Sequence, residues 1–152
     1  MEPLPALEER IRAHIPLTRH LGFHLEHHSP GELILRAPLE PNSNDKGTFF
    51  AGSQAALLAL AGWALTTLEA ERVLAPADVV AVESSLKHHA PAPFDARLTA
   101  TAEADVLTHF RQRLHDKGRG KLALAVTLTG PDGEAATTFE GVYMARYMEE
   151  AI

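Results

Sequence analysis

Eighteen residues from Ala51 to Leu68 make the longest apolar run in this chain, and any fold it adopts must bury them. Alanine and leucine dominate the run, which favours helix, and Ser53 stands where an N-cap is expected. The apolar residues spread around the helix rather than keeping to one stripe, so it needs cover on most sides. Its length approaches a bilayer span. However, Gln54, Thr66 and Thr67 lie inside it and no basic cluster flanks one end, so a core helix with no membrane partner is expected.

Alternating segments elsewhere supply the cover. Leu4, Leu7 and Ile11 predict a short helix from Pro3 to His14, and Leu17 to Leu21 form another turn after Pro16. Phe23, Leu25 and His27 alternate with His24, Glu26 and His28, and a second strand runs from Glu32 to Ala37 beyond Ser29-Pro30-Gly31. The long helix should end near Arg72 or Leu74, just before Pro76. From Val79, one strand face holds Val80, Val82, Ser84 and Leu86; the other holds Val79, Ala81, Glu83 and Ser85. Ala90-Pro91-Ala92-Pro93 breaks that strand. Leu98 to Ala104 alternate again, Asp116 to Gly120 read as a turn, and Leu122 to Leu128 alternate once more. Pro131-Asp132-Gly133 is a hairpin turn before a last strand from Ala135 to about Tyr147. The class is α+β: an antiparallel sheet of five or six strands covering one dominant helix. No repeat or linker divides the chain. One domain over residues 1–152 is expected, with 1–21 as a helical segment packed on it.

With 20 Asp and Glu against 14 Lys and Arg the net charge is −6, and no basic block stands out, which argues against nucleic acid as the main partner. There is no cysteine, so neither disulfides nor a thiolate nucleophile is available. Early acidic residues and the lack of an apolar leader argue against a signal peptide, and a cytoplasmic location is expected. Nine histidines stand out. His27 and His28 alternate across a strand, as do His88 and His89, so no metal-binding pair is preassembled and no metal is expected.

The polar turn Asn42-Ser43-Asn44-Asp45-Lys46-Gly47 precedes Phe49, Phe50 and the helix, whose N-terminus carries unpaired N–H groups and a positive partial charge. Such a place holds an oxyanion or polarises a carbonyl, or is simply a capped core helix after a loop. No G-x-S-x-G elbow surrounds any serine, which leaves a carboxylate as the natural base. Asp45 in the turn and Glu83 inside an apolar strand are the candidates, against plain turn-closing and solvent-facing roles. Phe49 and Phe50 line a ligand tunnel or pack the core. Arg111, Arg113, Lys117, Arg119 and Lys121 surround one turn that either grips the phosphates of a ligand or is a solvated end.

The order hairpin, long buried helix, long antiparallel strands is similar to the hotdog fold, a sheet wrapped around one central helix. Asn44-Asp45-Lys46-Gly47-Thr48-Phe49-Phe50-Ala51-Gly52-Ser53 resembles the N-x-K-G-T-x-F-x-G-S signature of a bacterial family of thioesterases found alone or behind an acetyltransferase domain. Gly62-Trp63, Ala90-Pro91 and Gly118-Arg119-Gly120-Lys121 look like that family too. The resemblance implies hydrolysis of an acyl-CoA or acyl-carrier-protein thioester, coenzyme A entering only as part of the substrate. It also implies a homodimer or dimer of dimers with sites between protomers. Asn44 would then stand near the attacking water, while Asp45 and Glu83, candidates from the residues themselves, would assist it. Gly47, Thr48, Phe50, Ala51, Gly52 and Ser53 would contact the substrate, Gly52 through its backbone N–H, and Arg119 its phosphates. Phe50 stands where many hotdog thioesterases carry histidine, and Ala59 where many carry a helix carboxylate. A non-catalytic acyl-thioester or fatty-acid binding module is the other reading.

Overall fold

The computed structural model describes residues 4–148; Pro3, where the first helix was expected to open, and the last four residues lie outside them. Helix α1 (Leu4–His14) buries Leu7 and Ile11, and a 3-10 turn (Pro16–His20) follows. Strands β1 (His24–Ser29) and β2 (Glu32–Ala37) form the hairpin, with Gly31 at φ 78° in its turn. A short 3-10 turn (Glu40–Asn42) leads to α2 (Ala51–Glu71). Then come β3 (Ala77–His88), β4 (Ala96–Thr101), α3 (Ala104–Lys117), β5 (Arg119–Thr129) and β6 (Ala135–Tyr147). The six strands make one antiparallel sheet in the order β1-β2-β4-β5-β6-β3. This is the hotdog arrangement, a sheet around a central helix.

The sheet's inner face carries Leu33, Leu35, Leu98, Ala100, Leu122, Val126, Leu128 and Tyr143, none more than 1% exposed. Helix α2 lies against it with Leu57, Leu58, Ala61, Ala64 and Leu65, each fully buried. Gly62 makes the approach close, because a Cβ there would meet the Tyr143 ring. The Tyr143 hydroxyl donates to Ala59 O at 2.7 Å, and Trp63 Nε1 donates to Val79 O at 3.1 Å. Burial pushes the Tyr143 phenol up to about 12. Among the described residues α2 is the one helix long and apolar enough to cross a membrane, yet thirteen of its 21 residues are buried within this fold.

Four local readings change. Helix α2 opens at Ala51 with Phe50 as N-cap, so Ser53 sits inside the first turn and caps nothing. Between Leu25 and His27, and again between Ala81 and Glu83, the pairing slips by one residue. Each bulge reverses the faces beyond it. His28, rather than His27, therefore shares the inner face with Leu25, and Val79 and Ala81 share it with Ser84 and Leu86. Finally, the alternation read through Ala104 stops at Thr101, and residues 104–117 are helix. Leu107, Phe110 and Leu114 are buried at a helical spacing. The turn read at Asp116–Gly120 is that helix's end, capped by Gly118 at φ 73°.

Candidate active site

The turn before α2 is shaped by its own side chains. Asn42 is 2% exposed; its side-chain amide donates to Leu21 O at 2.9 Å and Pro38 O at 2.8 Å, and its backbone carbonyl accepts the Phe50 N–H at 2.7 Å. Asn44 Oδ1 accepts the N–H groups of Lys46 (2.9 Å) and Thr48 (3.1 Å), while its amide donates to Thr48 Oγ1 at 2.9 Å. These bonds close an Asx-type turn, with Gly47 at φ 75°. Phe49 is buried and its N–H donates to Ala92 O.

The chain is thus delivered to α2 with its first turn open. The N–H groups of Ala51, Gly52 and Ser53 have no hydrogen-bond partner among the described residues; the first helical bond runs from Gln54 N–H to Phe50 O. Ala51 and Gly52 are exposed and Ser53 is half-buried. The Phe50 ring, 54% exposed, lies against Gly52, where a Cβ would collide with it. Three free donors at the positive end of a 21-residue helix suit a carbonyl that gains negative charge.

The same turn carries a polar chain that sequence reasoning missed. Gln54 Nε2 donates to Phe49 O at 3.1 Å, the Thr137 hydroxyl donates to Gln54 Oε1, and His88 Nδ1 lies 3.3 Å from Thr137 Oγ1. Gln54 is 4% exposed and Thr137 fully buried. A lone amide in the first turn of an apolar helix was the available signal; its partners lie far away in sequence.

The other expected residues are dispersed within the protomer. Asp45 is 80% exposed and pairs with Lys46 Nζ at 3.0 Å. Glu83 pairs across the ladder with Val142, on the sheet face away from α2. Arg119 opens β5, whereas the residue opposite Thr137 is Leu128, nine positions on. At about 3.3 Å per residue, Arg119 stands roughly 30 Å from its own helix start. Arg111 is committed elsewhere, to Glu69.

That second buried cluster gathers at the other end of α2. Glu69 accepts from Arg111 Nη2 (2.6 Å) and the Gly31 N–H (2.7 Å), and lies 3.2 Å from His28 Nε2. Burial pushes its carboxyl up, but the bonds from His28, Gly31 and Arg111 overcome this and hold it at about 2. It ties α3 and the β1–β2 turn to the central helix.

A family model described as "Putative thioesterase (yiiD_Cterm)" matches residues 4–147. The chain belongs to this thioesterase family. Solved structures similar to this chain agree with the architecture. A protein of unknown function from Chlorobaculum tepidum is 28% identical with a TM-score of 0.81, covering 93% of each chain. A putative thioesterase from Shewanella oneidensis is 25% identical with a TM-score of 0.80, covering 95% of this chain and 97% of that one. Zebrafish thioesterase superfamily member 2, 19% identical over 98% of this chain and 100% of its own, has a TM-score of 0.70 and shares the fold. The family and its hotdog fold support thioester hydrolysis as the general activity of this chain.

Proposed function

We propose that this thioesterase-family chain hydrolyses acyl-CoA or acyl-carrier-protein thioesters, working as a homodimer or a dimer of dimers. The observation that carries the reading is the open first turn of α2, with three unpaired N–H donors facing outward. Gly47, Thr48, Phe50, Ala51, Gly52 and Ser53 border that turn as the substrate-contacting stretch. Dimerisation is supported by the free outer edge of β3, where Val80 and Val82 are about half exposed, and by the neighbouring open side of α2 at Gly52 and Ala59. A partner subunit would bring its Arg119 to the phosphates of coenzyme A.

A carboxylate-assisted water attack, with Asn44 beside the water, would need that second subunit to bring Glu83 toward Asp45. Asp45→Asn or Glu83→Gln with undiminished turnover removes that residue from the mechanism. The exposure of Asp45 and its pairing with Lys46 favour a second reading, an acyl-thioester or fatty-acid binder without turnover. A panel of short, long and aromatic acyl-CoA and acyl-carrier-protein thioesters separates the two. Hydrolysis releases thiol continuously; binding alone gives saturation and no thiol. The chain has no cysteine, so a thiol reagent reads only the product.

A further inference from the structure

Resting on the hydrolase reading, we propose that the proton acceptor for the attacking water is His88, held in one tautomer by Thr137 and Gln54. Hydrogen-bond direction fixes the assignment. Phe49 O can only accept, so Gln54 turns its NH2 toward it and presents Oε1 to Thr137. Thr137 has one proton and gives it to Oε1, so its oxygen accepts from His88. The imidazole must therefore carry its hydrogen on Nδ1, which leaves the Nε2 lone pair free. The two linking side chains are shielded from water while the imidazole is exposed, so the chain orients a base that remains accessible.

Position supports the role. Gln54 is the fourth residue of α2, so His88 is anchored to the turn whose N–H groups are unpaired. No ionisable side chain occurs in residues 51–54, 90–93 or 135–139, the segments around it. Lys87 pairs with Thr138 on the outer face, and His89 Nε2 lies 2.8 Å from Thr138 Oγ1. Asp45 and Lys46 neutralise each other on the turn.

The chemistry balances with one base. Water oxygen bonds to the thioester carbonyl carbon as His88 Nε2 takes its proton. The carbonyl π pair moves to oxygen, facing the N–H groups of α2. Collapse breaks the C–S bond, and the sulfur leaves with the proton from Nε2. Carboxylic acid and thiol are the products, and the imidazole is neutral again. Gln54 and Thr137 are positioning residues.

The test combines activity with imidazole nitrogen NMR on the full chain. Wild-type His88, assigned by its loss in His88→Gln, should show protonated Nδ1 and bare Nε2. On whichever thioester the wild type hydrolyses, His88→Gln should lower kcat by about 10²–10⁴-fold with little change in KM, and abolish the acid limb of the pH profile. Thr137→Val should mix the tautomers and lower kcat, and Thr137→Ser should restore both; His89→Gln should match wild type. A dominant Nε2–H tautomer, or His88→Gln with kcat within twofold of wild type, overturns the inference and leaves the hydrolase reading intact. No thiol release by the wild type from any thioester overturns both. If Thr137→Val fails to fold, the wild-type spectrum and His88→Gln still decide.

Discussion

Glu69 is the residue on which burial and charge compete most directly. A carboxylate with no exposed surface survives only with full compensation, and two side chains and a backbone N–H supply it. A carboxyl held below its ordinary value stabilises the fold above that value and loses the contribution as pH falls through the folded one. The drop from 4.5 to about 2 corresponds to about 3 kcal/mol, lost as pH falls between those values. Urea unfolding at pH 6 and at pH 2.5 should show that loss in the wild type and much less of it in Glu69→Gln. At pH 6 the variant itself should be less stable by about 3 kcal/mol, since Arg111 and His28 are left facing a neutral group. In the sequence Glu69 was visibly a charge next to an apolar helix run. Its partners were not visible, because Arg111 lies 42 positions away and His28 reaches the core only through a bulge. The same limit hid His88: its hydrogen-bond partner Thr137 is 49 residues distant.

Helix α3 shows how two periodicities compete in one stretch. Small residues alternating from Leu98 to Ala104 carry the strand pattern past its end, while Leu107, Phe110 and Leu114 carry a helical spacing that was available to be read. Burial decides between them. Phe110 is fully buried and its carbonyl lies against Gly120, so β5 can approach α3 only where a side chain is missing. Phe110→Ala should destabilise by about 3–5 kcal/mol in urea unfolding. The loss of α3 should also release Arg111 from Glu69, so hydrogen exchange at Gly31 N–H should rise in the same variant. The bulges in β1 and β3 belong at this scale too, since one extra residue turns a face and no composition signal marks where it falls.

At the scale of the molecule, β3 is a 12-residue strand paired on one side only among the described residues, with Val80 and Val82 exposed beside the open flank of α2. A long apolar edge of this kind is a template for a second copy. Val80→Lys with Val82→Lys should therefore shift sedimentation toward the monomer at micromolar concentration while circular dichroism stays unchanged. An unaltered sedimentation coefficient that already corresponds to a monomer in the wild type would remove the dimer from the proposal. By itself the sequence determined the α+β class, the buried helix, the hairpin before it and the polar turn at its mouth, because each follows from local periodicity and turn chemistry within about twenty residues. Only the tertiary structure decided the faces of β1 and β3, the choice of helix over strand at α3, the burial of Glu69 and the link from Gln54 through Thr137 to His88. Those depend on strand register and on contacts between distant segments, which closure of the sheet around α2 creates.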